Sequence, residues 1–187
     1  MYKLLIAFVL FAAVNLTAGE YHVDTGKDNL VKFISDAPVE EFEGVTDKID
    51  GYLLAAGLDK LEGANFYFEV DMNSVDTGIG LRNRHMREDY IHTEKYPYTY
   101  YKGKIVEAAK QKGLSYKVKV DGVFFIHGVE KERVIEGIIK KNNSGLKVRA
   151  EFGVKLTDHN IKVPEFMFMK IDEEMQLVVD FYMKKAS

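Results

Sequence analysis

The feature of this chain that most constrains its fold is a strict alternation of apolar and polar residues in several separate segments. In the segment 66–72 apolar side chains recur at every second residue, and segments 114–121 and 146–156 repeat the pattern. Alternation with a period of two places one face of a strand in the interior and the other in water. Several such strands in succession are typical of an antiparallel barrel or sandwich. The sequence therefore predicts a mainly β domain with a large, partly aromatic inward face.

About eight strands and one helix can be placed along the chain by pattern and turn residues. The first strand is predicted in two pieces that are broken near Gly26. A bulge or kink is expected at Asp121-Gly122, a turn over 108–113 and a hairpin turn over 142–145. Ile79, Met86 and Tyr90 share one helical face, which predicts a helix near 79–90. The expected strands are 21–24 with 30–34, 42–56, 66–72, 98–106, 114–128, 132–140, 146–156 and 175–183.

The N-terminus is typical of a secretory signal peptide. Lys3 precedes an apolar run over 4–14, and Thr17-Ala18-Gly19 supplies small residues for cleavage between Gly19 and Glu20. The run is shorter than the roughly 20 residues of a membrane span, so no stable membrane insertion is expected after cleavage. We therefore predict a signal peptide over 1–19 and one domain over 20–187, with Tyr2 to Ala18 helical. An uncleaved membrane anchor is the alternative.

Composition excludes several functions. The net charge is −3, from 26 basic and 29 acidic residues, which is not the basic footprint of a nucleic-acid-binding protein. The chain has no cysteine, so disulfides, thiolate metal sites and thiol catalysis are excluded. An exported domain of this size without disulfides is most compatible with a bacterial periplasm.

Signatures of catalysis are missing from the sequence. There is no Gly-x-Ser-x-Gly element, no phosphate-binding glycine loop and no dinucleotide fingerprint. His22, His92, His127 and His159 lack the mutual spacing of a metal site. We predict a protein that is not an enzyme and that has no metal or cofactor.

Four segments in order along the chain resemble motifs of one family. Two residues in these segments depart from the family pattern. Phe125 stands where the family has Thr, and Asn83 stands where it has an acid. The segments are 66–70 with 73–78, Arg82-Asn83-Arg84-His85-Met86, Lys95-Tyr96-Pro97 with 100–105, and 122–129 with its Ile-His-Gly-Val sequence. Their order and spacing resemble the YceI-like family of periplasmic, polyisoprenoid-binding, lipocalin-like proteins.

This resemblance implies an elongated eight-stranded antiparallel barrel of lipocalin-like form with one main α-helix. It also implies non-covalent binding of a long isoprenoid, a quinone-like molecule or another fatty amphiphile inside the barrel. Members of the family can pair as dimers, so a homodimer is possible, although no feature of this sequence requires one.

The alternation identifies the side chains that would line such a cavity. An eight-stranded barrel can be filled by its side chains or can hold one ligand, and periodicity alone leaves both open. The resemblance favours a cavity, in which each buried CH2 group contributes roughly 0.8 kcal/mol. The predicted lining residues are Phe66, Phe68, Val70, Met86, Tyr116, Val118, Phe152, Val154, Val179 and Phe181.

The predicted helix supplies polar candidates for a ligand headgroup. Arg82, Arg84 and His85 could hold a phosphate or carbonyl group at the cavity mouth through hydrogen bonds. A solvated helix face paired with nearby acidic residues is the alternative. The leading hypothesis is a lipid carrier or sequestering protein. The others are a filled barrel acting as an envelope or stress interaction module, and a hydrolase of a lipid-like substrate.

Overall fold

The computed structural model describes residues 19–35, 41–57, 60–142, 145–163, 165–166, 169–170 and 172–186. The helix predicted for Tyr2 to Ala18 lies outside these residues. Within them the strands are β1 Gly19–Val23, β2 Leu30–Ser35, β3 Phe42–Thr46, β4 Ile49–Ala55, β5 Asn65–Asp71, β6 Tyr98–Lys110, β7 Ser115–Ile126, β8 Val129–Asn142, β9 Gly145–Lys155, β10 Glu165–Phe166, β11 Met169–Lys170 and β12 Glu174–Lys185.

The ten longer strands close into an antiparallel barrel with eight strand positions. β12 pairs with β9 on one side and with both β1 and β2 on the other. β1 and β2 are therefore two pieces of one barrel strand, as the break near Gly26 predicted. β1 pairs with β4 and β2 pairs with β3, so β3 and β4 are together the second strand of the barrel. The predicted eight-stranded barrel is confirmed.

Two details of the β6–β7 hairpin differ from the sequence prediction. β6 runs on to Lys110, which pairs with Tyr116, so the predicted turn over 108–113 is too early. The bulge lies in β6 between Ile105 and Glu107 and not in β7 at Asp121-Gly122. Gly122 instead faces Gly103 across the ladder. The lack of a side chain at both positions allows the two backbones to approach closely.

One main helix is present, as predicted. α1 spans Gly80–His85 and continues through Met86–Ile91 in π-helical geometry, ending at His92 with φ of 52°. The short turn Leu156–His159 is a 3-10 helix. No helix in the described ranges is long and apolar enough to cross a membrane.

The apolar core forms two clusters along the barrel axis. One draws residues from strands all around the barrel and includes Leu53, Leu61, Leu146, Phe181 and Met183, all at most 2% exposed. The other lies near the helical segment and contains Phe124, Ile126, Val154 and Ile161. Side chains of both clusters face the interior of the barrel.

Candidate functional site

A cavity of about 130 Å³ lies inside the barrel and is lined by side chains of both clusters. Residues from β4, β5, β6, β7, β8, β9 and β12 contribute to its wall, and most of them are aliphatic or aromatic. The lining includes seven of the ten side chains predicted from sequence, namely Phe66, Phe68, Val70, Val118, Phe152, Val179 and Phe181. The alternation of apolar residues therefore located most of the wall, while their role in binding stays a prediction.

Several inward-facing side chains keep part of their surface accessible. Phe68, Val148 and Val179 line the cavity and are only half-buried, whereas Phe66 and Phe181 on the same strands are 5% and 2% exposed. Inward-facing apolar groups in a filled barrel would cover one another almost completely. These three side chains are therefore not completely covered by their neighbours.

Three predicted lining residues do not border the cavity. Tyr116 and Val154 are 8% and 2% exposed and belong to the core clusters near the two ends of the barrel. Met86 is half-buried on the helical segment, outside the strands. Alternation reports the face of a strand but not the position along the barrel axis, which explains the first two differences.

Tyr101 is a polar group in the cavity wall that the sequence did not single out. Its hydroxyl oxygen lies 3.1 and 2.9 Å from the carbonyl oxygens of Val120 and Arg133, which share its single donated proton. Its ring centroid lies 5.0 Å from that of Phe66 and 5.9 Å from that of Phe124. Burial raises the pKa of the Tyr101 hydroxyl, so it stays a neutral donor. This residue links the two apolar clusters.

The predicted headgroup residues lie on α1 and do not border the cavity. The Arg82 guanidinium donates to the carbonyl oxygen of Thr77 at 2.9 Å and lies 4.5 Å from the centre of the Phe42 ring. Arg84 and His85 are exposed. Arg82 thus stabilises the turn before the helix, and a contact of the three residues with a headgroup stays a prediction.

Asn83, which departs from the family pattern, makes hydrogen bonds to residues of the same turn before the helix. Its amide oxygen accepts from the backbone NH and the hydroxyl of Thr77, at 2.8 and 2.7 Å. Its amide nitrogen donates to Asp76 at 2.7 Å, and this hydrogen bond holds the pKa of the Asp76 carboxyl below its usual range. An ionised acid at position 83 could not donate to Asp76, so the amide suits this turn.

The fold brings together three histidines that are far apart in sequence. His92 Nδ1 lies 2.7 Å from His127 Nε2, and His127 Nδ1 lies 3.1 Å from the carbonyl oxygen of His159. The sequence spacing gave no sign of this cluster, because the loops that carry it meet only in the folded barrel. Across the described ranges, no three His, Cys, Asp or Glu side chains are placed to hold a metal ion.

His159 should make the stability of the protein pH-dependent. It is fully buried, its Nδ1 lies 3.3 Å from the carbonyl oxygen of Val129, and burial lowers its pKa. The unfolded chain, with a histidine pKa of about 6.5, then binds more protons than the folded one as the pH falls below that value. We expect the free energy of unfolding to fall from about pH 7.5 to pH 5.5 because of this residue.

Urea denaturation of His159→Gln at both pH values checks this expectation. The variant should lose most of that pH dependence, whereas His22→Gln, on an exposed part of β1, should keep it. An unchanged pH dependence in His159→Gln would contradict the assignment.

In the part of the chain that the structure describes, the fold and cavity define a closed eight-stranded antiparallel barrel with an apolar interior and one main helix. The model of the YceI-like domain matches residues 21–183. The chain belongs to the YceI-like family. No curated protein sequence matches it.

Solved structures share the fold. BcnA of Burkholderia cenocepacia has a TM-score of 0.70 at 17% identity, covering 88% of this chain and 99% of its own. A polyisoprenoid-binding domain from Saccharophagus degradans, implicated in plant cell wall breakdown, has a TM-score of 0.68 at 18% identity, covering 89% and 98%. The YceI protein of Campylobacter jejuni has a TM-score of 0.61 at 17% identity, covering 77% and 84%. At these identities the likeness shows the fold.

Proposed function

We propose that this protein binds the hydrocarbon chain of an isoprenoid, a quinone-like molecule or a similar amphiphile inside its barrel, as a carrier or sequestering protein. The observation that carries the proposal is the apolar cavity with its half-buried inward side chains. Binding is non-covalent, since the wall is mostly apolar and the Tyr101 hydroxyl in it is hydrogen-bonded to the backbone. The name of the Saccharophagus domain, as a polyisoprenoid-binding protein, supports the same ligand class.

The size of the cavity limits how a ligand is held. A cavity of about 130 Å³ compares with the roughly 150 Å³ engineered cavity that accepts benzene, so it takes one short piece of a chain. It is smaller than the roughly 300 to 1,000 Å³ pockets that bury drug-sized ligands. A long tail must therefore displace half-buried rings such as Phe68 and Phe152. Each CH2 group that it buries contributes roughly 0.8 kcal/mol toward that displacement.

The small cavity volume also favours the second candidate, a filled barrel that acts as an envelope interaction module without a ligand. The two candidates differ in one measurable respect. The carrier retains or takes up an amphiphile, and the filled barrel does not.

We further propose that the protein is exported to the bacterial periplasm by its N-terminal signal peptide, and that it is not a catalyst.

Native mass spectrometry of the protein purified from the periplasm of an expressing bacterium tests whether it binds an amphiphile. After incubation with farnesol or decylubiquinone, we expect a 1:1 adduct that dissociates without covalent change. Apoprotein alone, with either probe in excess, would favour the filled barrel.

A further inference from the structure

The hydrogen-bonded ladder between β8 and β9 stops partway along the two strands. Their pairing runs from Asn142–Gly145 to Gly137–Ala150. β8 extends beyond that point to Val129, where it pairs only with β7, and β9 extends to Lys155, where it pairs only with β12. The barrel wall therefore contains a seam between residues 129–136 of β8 and 151–155 of β9.

Side chains close the far part of this seam. The Arg133 guanidinium crosses from β8 and donates to the carbonyl oxygen of Gly153 at 2.7 Å. Further on, the His159 ring lies at hydrogen-bond distance from the carbonyl oxygen of Val129. The unbridged stretch thus runs from the last ladder pair, Gly137–Ala150, to the Arg133 contact. Glycine and alanine at that ladder pair leave little side-chain bulk beside it.

The internal cavity and a depression on the outer surface share part of the barrel wall at this place. Gly137, Arg149 and Ala150 line the cavity, and the same three residues line an open depression of about 400 Å³ on the outside of the barrel. No other part of the cavity wall is shared with that depression. Only the thin wall at the last ladder pair, Gly137–Ala150, therefore separates the two spaces at these residues.

Both ends of the barrel are covered by buried side chains. At one end, Leu61 and Ala64 in the β4–β5 connection are 2% and 4% exposed. At the other end, within the described ranges, Ile126, Val154 and Ile161 are at most 9% exposed. A hydrocarbon chain that entered along the axis would have to displace these buried groups.

We propose that the seam beside Gly137 and Ala150 is the entrance through which a hydrocarbon tail reaches the cavity. The ligand is an amphiphile with one hydrocarbon tail, whose polar head stays outside against Gln111, Lys117 and Arg149, in place of the contact with Arg82, Arg84 and His85 that the sequence predicted. This inference rests on the proposed function and names the route and the outer contact of its ligand.

The charges around the entrance can rearrange at low cost. Arg149 is paired with Glu151 at 2.6 Å and Lys117 with Glu136 at 2.8 Å, and all four side chains are more than half exposed. Exposed ion pairs contribute only about 0 to 1 kcal/mol, so a polar headgroup can replace an acid as the partner of either cation.

A removable cross-link across the seam tests the entrance. The chain has no cysteine, so Glu136→Cys with Glu151→Cys introduces a single pair at the position next to Gly137–Ala150. The pair is joined by oxidation, or by a short bis-methanethiosulfonate where the gap exceeds disulfide reach. The control is Lys140→Cys with Lys147→Cys, which are partners in the intact part of the same ladder.

We expect the cross-linked seam variant to take up farnesol at least tenfold more slowly in a native mass spectrometry time course. Dithiothreitol should restore the rate, and the cross-linked control should match the native protein. A preloaded seam variant should release farnesol at least tenfold more slowly once it is cross-linked. Native rates of uptake and release in the cross-linked seam variant would overturn the entrance while leaving the proposed function intact. Failure of the native protein to take up farnesol would overturn both.

Discussion

Gly103→Ala should lower the free energy of unfolding by about 3 kcal/mol, because the new methyl group cannot be accommodated between two strands. A Cβ atom at this position would lie 2.1 Å from the carbonyl oxygen of Asp121 and 2.5 Å from the Cα atom of Gly122. Both neighbours are backbone atoms, so no side-chain rotation relieves the clash. The β6–β7 ladder must spread at a point two residues from Tyr101, in the cavity wall.

Urea denaturation of Gly103→Ala, with Gly80→Ala as the control variant, checks this expectation. A Cβ atom at Gly80 meets nothing within 4 Å, and the residue begins α1, so alanine there should change the stability by less than about 1 kcal/mol, in the stabilising direction. A similarly small change in Gly103→Ala would show that the two strands are not in close contact at this pair.

Much of the barrel could be predicted because the alternation of apolar and polar residues within one strand shows which of its side chains face the interior. The inward positions of β5 and β12, such as Phe68 and Val179, were identified from the sequence alone and do line the cavity. The break near Gly26 was also visible, because turn residues interrupt the first strand. The closure of the sheet came from the family resemblance, since alternation does not distinguish a barrel from a sandwich.

The remaining features depend on contacts between distant segments. The position of Tyr116 and Val154 near the barrel ends follows from strand register, which the sequence pattern does not specify. The His92–His127 contact joins the end of the helix to the β7–β8 turn. The seam has no sequence signal at all, because residues 129–136 and 151–155 continue their own strands normally and only their mutual pairing is lost.

Filling the cavity should abolish ligand uptake without weakening the fold. Val179 lines the cavity, is half-buried and lies opposite Ala150 on the neighbouring strand. Its replacement by Phe adds a ring to the apolar void, and we expect the free energy of unfolding to change by no more than about 1 kcal/mol. Farnesol binding should weaken at least tenfold, because the added ring occupies the volume of the first buried part of the tail.

The measurement that tests the cavity as the binding site most directly is therefore farnesol binding by Val179→Phe and its neighbour Val178→Phe, with native mass spectrometry and urea denaturation on the same samples. Val178 follows the alternation to the opposite face of β12, so its ring should leave binding close to that of the native protein. We predict that Val179→Phe stays folded and loses the 1:1 adduct. A folded Val179→Phe that binds farnesol as the native protein does would show that the ligand does not occupy the barrel interior.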